Sequence, residues 1–124
     1  MARHNDIGKL GEDIACEFLR RKGFTIITRN YTRKWGEIDI VARDTSGIYH
    51  FIEVKSTERH YTCNHDNWDP VEMVHHHKIE RLKRVIQTYL LETDIEEWVF
   101  DVIVVYLDTP NRNAKCKFIK DIIL

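Results

Sequence analysis

Two short segments of this chain, Gly36-Glu37-Ile38-Asp39-Ile40 and Phe51-Ile52-Glu53-Val54-Lys55, carry the residue types that metal-assisted hydrolysis needs. Both read as β-strands, being rich in β-branched and aromatic residues and separated by the turn-forming cluster Asp44-Thr45-Ser46-Gly47. Alternate residues of a strand share a face, so Glu37 and Asp39 are expected to point one way while Ile38, Ile40 and Ala42 point the other. On the next strand Phe51, Glu53 and Lys55 share a face, backed by Ile52 and Val54. A turn centred on Ser46 then sets Asp39 opposite Glu53 and Glu37 opposite Lys55. Carboxylates facing each other across a sheet repel unless a cation or a shared proton compensates. Oxygen-only ligands favour hard ions such as Mg²⁺ or Mn²⁺, which keep several waters and leave room for a phosphate oxygen. A lysine two residues beyond the second acid can orient the attacking water and offset charge in the transition state. Asp39 and Glu53 are therefore the candidate metal ligands and Lys55 the candidate water-activating cation. The competing reading of the same letters is a salt bridge between neighbouring strands, with little energetic consequence.

The elements that must hold these residues follow from periodicity. From about Asn5 to Lys22, Ile7, Leu10, Ile14, Ala15, Phe18 and Leu19 recur at helical spacing and Gly23 is a good stop. Strands are expected over Phe24 to Tyr31, Glu37 to Arg43 and Ile48 to Lys55, in a meander. Asp69-Pro70-Val71-Glu72 has the form of a helix start, and that helix runs to near Leu91; His75 to Lys78 could instead open its regular part. Trp98 to Leu107 is nearly continuous in apolar residues, as in a strand buried on both faces, with Asp101 in a structural role. Lys117 to Leu124 offers a last strand. The fold class is α/β in the order α-β-β-β-α-β(-β).

Composition bounds the rest. The 124 residues suit one domain, 1–124. With 43% hydrophobic and 31% charged residues, the chain has the balance of an ordinary globular protein. No stretch is long enough to span a bilayer and no signal-peptide core follows the first charges, so a cytoplasmic protein without a membrane partner is expected. Three scattered cysteines, Cys16, Cys63 and Cys116, point to free thiols. The net charge of −1 supplies no overall field for a polyanion. Any nucleic-acid contact must use local clusters: Arg20-Arg21-Lys22, Arg29 with Arg33-Lys34, and Lys78, Arg81, Lys83 and Arg84.

The segments GKLGEDIACEFLRRKGFTIITRNY, WGEIDIVARD, FIEVKST and VFDVIVV, with a lysine-containing helix before the last, resemble the YraN family of restriction-endonuclease-like proteins. The match runs from about Gly8 to Leu107. That family is similar to the PD-(D/E)XK nucleases and the archaeal Holliday-junction resolvases, whose core has the element order derived above, a mixed sheet flanked by helices. The resemblance implies an Mg²⁺-dependent endonuclease acting on DNA, branched or damaged, with Asp39, Glu53 and Lys55 at the motif positions. It also implies that Glu12, on the first helix, approaches the metal; an ordinary surface acid near a helix start is the alternative. Glu37 can assist at the metal or pair with Lys55. Lys78 shares a helical face with Val71, Val74 and Leu82, so its charge can be aimed at the site or snorkel to solvent. Resolvase-like relatives act as symmetric dimers, which makes a homodimer an expectation of the resemblance alone.

Two further function classes stay open: a nucleic-acid-binding module of the same fold that does not cleave efficiently, and a metal-binding or protein-interaction domain. His60, Cys63, His65 and one of His75 to His77 are soft metal ligands, but they lack the paired spacing of a zinc site. Trp35, Tyr61 and Trp68 can stack on unpaired bases or cap the core.

Overall fold

In the computed structural model, which describes residues 3–58 and 76–124, the amphipathic first segment forms helix α1, Arg3–Arg21. Asp6 in its first turn and Arg20 and Arg21 in its last each complement the helix dipole. Strands β1 (Thr25–Arg33), β2 (Gly36–Arg43) and β3 (Tyr49–Glu58) follow, then helix α2 (His76–Glu92), β4 (Trp98–Asp108) and β5 (Asn113–Ile119). This is the expected order α-β-β-β-α-β-β. The helix start expected at Asp69 lies outside the described residues.

The five strands form one sheet in the order β1-β2-β3-β4-β5. β3 and β4 are parallel and the other neighbours antiparallel. Parallel neighbours need a crossover, and α2 supplies it. Leu82, Val85, Ile86 and Tyr89 of α2 pack on Phe51, Phe100, Val102, Val104 and Tyr106. Ala15, Cys16 and Leu19 of α1 pack on Ile40, Ile52, Ile103, Val105 and Leu107 on the opposite face. β4 thus contributes alternate residues to two cores, which is why its sequence is apolar almost throughout.

The β2–β3 turn is built by Asp44. Its Oδ1 accepts hydrogen bonds from the amides of Ser46 (2.8 Å) and Ile48 (3.1 Å). That turn sets Ile40, Val41, Ala42 and Arg43 opposite Ile52, Phe51, His50 and Tyr49, the register expected for a turn centred on Ser46. Asp44 Oδ2 also lies 2.9 Å from Nε2 of His50, whose Nδ1 is 2.6 Å from Oδ2 of the fully buried Asp101. Asp101 Oδ1 in turn accepts the Asp121 amide at 2.8 Å. The structural role expected for Asp101 is therefore to tie two strands, a turn and the last residues together.

Three expectations are corrected. The last strand is Asn113–Ile119 rather than Lys117 to Leu124. Its first half is polar and exposed, so pairing with β4 rather than hydrophobicity defines it. Beyond it Asp121 turns the chain at φ 55°, and Ile122 and Leu124 pack on the α2-side core. Strict alternation also fails along β2: Ile38 packs on the α2 side, Ile40 and Ala42 on the α1 side. Opposite the break, between the pairs Arg29–Ile40 and Tyr31–Ile38, Asn30 of β1 adopts the left-handed φ of 54°. Finally, the β2–β3 ladder ends at Ile40–Ile52, so neither Asp39 opposite Glu53 nor Glu37 opposite Lys55 is a ladder pair.

Gly11 is buried where α1 crosses β3, and a Cβ there would sit 1.7 Å from Ser56 Oγ. Gly11→Ala is expected to lower unfolding stability by about 1–3 kcal/mol through overpacking, and Gly11→Ala with Ser56→Gly to recover most of it in urea titrations. A Gly11→Ala protein as stable as the wild type contradicts this packing.

A second prediction concerns pH. Burial alone would lower the pKa of His50, but its hydrogen bonds to Asp101 and Asp44 outweigh that and hold it above the ordinary histidine value. A raised folded pKa contributes stability fully present below the unfolded value and lost as pH rises through the folded one. His50→Gln is expected to be less stable than the wild type by about 1 kcal/mol near pH 6, with the gap narrowing toward pH 9. A gap that widens with pH would show that the ring is neutral.

Candidate active site

The site begins where β2 and β3 part. Their ladder ends at Ile40–Ile52, whereas β3 stays paired with β4 as far as Glu58–Leu107. In the opening, the Val54 amide donates to Asp39 Oδ2 at 2.9 Å. A buried amide leaves a sheet only if another acceptor replaces the ladder, and the Asp39 carboxylate is that acceptor. The opening is a cavity of about 300 Å³, lined by the acids Glu37, Asp39 and Glu53 and by the cations Arg33, Lys34, Lys78 and Arg81.

Both helices close on this opening. α1 comes within contact of Ser56 at Gly11, which places Glu12 beside the far end of β3. α2 also comes close to β2, since a Cβ on Gly36 would lie 2.9 Å from the Arg81 carbonyl oxygen. Larger residues at either position would hold a helix away from the acids.

Glu53 is only 2% exposed, and its Oε2 accepts no well-directed hydrogen bond. Lys78 Nζ is ion-paired with that oxygen, and Lys55 Nζ stands 3.9 Å from it. Burial, followed by the charge of Glu53 and a hydrogen bond with it, pushes the Asp39 carboxyl up to about 8. Partial desolvation, then the charges of Glu12 and Glu53, raise the pKa of Glu37 as well. The cavity thus crowds carboxyl groups that resist ionising together, with cations gathered around them.

Among the described residues no three His, Cys, Asp or Glu side chains are gathered into a ready-made metal cage. Two adjacent carboxylates, one of them buried with only lysine ammonium groups as its charge partners, fit a hard divalent cation that keeps most of its waters. The donor chemistry suits such an ion and does not suit a soft one.

The structure brings Asp39, Glu53, Glu37 and Lys78 to one cavity, with Lys55 half-exposed beside Glu53 but not lining it. Glu12 is held nearby: its Oε1 accepts bonds from Arg29 Nε (3.0 Å) and Asn30 Nδ2 (2.9 Å). It is 13% exposed, more enclosed than an ordinary surface acid. Sequence reasoning missed Arg29 and Asn30 as its holders, because only the left-handed turn at Asn30 aims that amide at α1. It also missed Lys34 and Arg81 as cavity residues, although both stood in basic clusters. Trp35 caps the core: its Nε1 donates to Thr88 Oγ1 at 3.1 Å and Arg84 covers its ring, so it is not free to stack on bases. Val71, Val74, Tyr61, Trp68, His60, Cys63, His65 and His75 lie outside the described residues.

A mixed five-stranded sheet, opened at one end around paired carboxylates and covered by a helix on each face, defines the class of protein. The chain belongs to the uncharacterised protein family UPF0102, whose profile matches residues 11–105, and the YraN family is this same family. A UPF0102 protein of Flavobacterium psychrophilum is 38% identical over 107 residues, 86% of this chain and 85% of the relative. One from Clostridium botulinum is 37% identical over 121 residues, covering 95% and 94%. One from Campylobacter jejuni is 42% identical over 88 residues, 71% of each. Among the described residues no helix is long and apolar enough to cross a membrane.

Asp39→Asn removes one of two crowded carboxyl groups while keeping an acceptor for Val54. It is expected to raise the stability of the metal-free protein at pH 9 by on the order of 1 kcal/mol, read as a higher melting temperature. Lys78→Met, which strips a counter-charge from buried Glu53, should lower stability by about 1–3 kcal/mol, and adding Glu53→Gln should restore most of it. Equal and independent effects of the two changes would mean that the pair does not interact.

Proposed function

We propose that this chain is a divalent-metal-dependent nuclease that hydrolyses phosphodiester bonds of DNA. The observation that carries the reading is the convergence of half-buried Asp39 and buried Glu53, adjacent in an open cavity with lysines at Glu53. Asp39 and Glu53 would hold Mg²⁺ or Mn²⁺. When bound, such an ion polarises a phosphoryl oxygen and acidifies a water.

The chain's own residues do the rest. Lys55 orients the nucleophilic water and offsets charge on the transition state. Lys78 neutralises Glu53 in the metal-free protein and keeps its carboxylate turned into the cavity. Glu37 adds a third acid to the cavity, and Glu12, fixed by Arg29 and Asn30, stands as an accessory acid on the α1 side. In this reading the protein works in the cytoplasm on branched or damaged DNA, as a homodimer where two strands are cut.

A second reading, a nucleic-acid-binding module without efficient cleavage, is favoured by one observation: Lys55 lies beside the cavity rather than lining it. Labelled single-stranded, duplex, flap and four-way-junction DNA incubated in Mg²⁺ or Mn²⁺ separates the two. Cutting by the wild type that falls about 10²–10³-fold in both Asp39→Ala and Lys55→Ala supports the nuclease. DNA that is bound but left intact by the folded wild type supports the module.

A further inference from the structure

The cavity holds two cations that no ion pair among the described residues engages. Of the four that line it, Lys78 is paired with Glu53, and Arg33 donates through Nη2 to both carboxylate oxygens of Glu92, 3.0 Å each. Lys34 and Arg81 are exposed and have no ion pair among the described residues. Their positions are nevertheless set by backbone. The Arg81 carbonyl lies against Gly36, and the turn carrying Lys34 is fastened to α2 through Trp35, bonded to Thr88 and covered by Arg84. Tyr31 adds a hydrogen bond to Glu92 from the strand below.

These two charges answer an electrostatic problem. A phosphate approaching Glu37, Asp39 and Glu53 meets like charge in a partly desolvated space, and a net charge of −1 gives no general attraction to help it. Cations held at the same cavity before the ligand arrives lower that barrier without reorganisation. The geometry points to a subsite formed by Lys34 and Arg81 that grips a nucleic-acid backbone phosphate flanking the one to be hydrolysed. The inference rests on the nuclease reading for its ligand class, yet it concerns binding rather than cutting. Arg81 offers a planar fork to phosphate oxygens and Lys34 a mobile point charge, so Arg81 should contribute geometry as well as charge.

The test is the affinity of a fluorescently labelled DNA carrying duplex and single-stranded segments, followed by anisotropy in Ca²⁺ at several salt concentrations. Lys34→Ala and Arg81→Ala are each expected to weaken binding about tenfold and to reduce the slope of log K against log salt by about one. Arg81→Lys should restore the slope but only part of the affinity. Lys83→Ala serves as control, since Lys83 is exposed on the same helix, pairs with Glu80 and does not line the cavity. Equal losses in all three alanine variants, no loss at Lys34 or Arg81, or a wild type that does not bind DNA would each overturn the subsite. Cutting abolished by Asp39→Ala but with unchanged binding in Lys34→Ala and Arg81→Ala removes the subsite and leaves the nuclease. Salt-sensitive binding through both residues without any cutting leaves the subsite and removes the nuclease.

Discussion

Everything at the candidate site depends on the release of β2 from β3 beyond Ile40 and Ile52. Had the ladder continued, the Val54 amide would have been spent on β2 and Asp39 would have had no reason to turn into the gap. Release leaves a buried donor that must be satisfied, and a carboxylate satisfies it. That carboxylate then lies against Glu53, which its position on β3 holds almost wholly out of water. One backbone decision thus creates the opening, the acceptor and the crowding of charge together.

The sheet can afford an open end because its other end is tied. Asp44 builds the β2–β3 turn and reaches His50; His50 reaches Asp101; Asp101 reaches the backbone of Asp121. The chain of contacts crosses β3 and β4 and secures the final residues, whose apolar side chains cover the α2-side core. Around it both layers are fully apolar, with Phe51 and Phe100 on one side and Leu19 and Ile103 on the other. The polar network at one end joins acids to a histidine and backbone amides, whereas the cavity at the other crowds acids against one another and raises their pKa values.

Much of this was legible in the letters. The Ser46-centred register holds from Arg43–Tyr49 to Ile40–Ile52, because an Asp-Thr-Ser-Gly turn leaves little freedom. β4 was legible because a strand buried on two faces has an unmistakable composition, and Lys78 does turn toward the acids. What escaped was non-local. Alternation predicts a straight β2, and nothing in the local sequence announces that Asn30, on another strand, adopts a left-handed conformation opposite Asp39. The edge strand β5 is defined by its neighbour, so a search for apolar residues set it several positions too late. The pairing of Glu12 with Arg29 and Asn30, and of His50 with Asp101, joins residues far apart in the chain. Even the resemblance to YraN proteins, which supplied the motif positions, says nothing of which lysines remain unspent.

The relatives from Flavobacterium psychrophilum and Clostridium botulinum cover this chain over most of its length, so the whole arrangement, and not an isolated motif, is the object to be tested. The most direct test is the binding of Mn²⁺ to the protein, followed by electron paramagnetic resonance of the free ion, in the wild type and in Asp39→Asn. The account predicts that the wild type takes up the ion at a site that Mg²⁺ competes for, and that Asp39→Asn, though folded and at least as stable, loses that uptake by tenfold or more. Equal uptake by the two proteins, or none by the wild type, would contradict the claim that the paired carboxylates exist to hold a divalent cation.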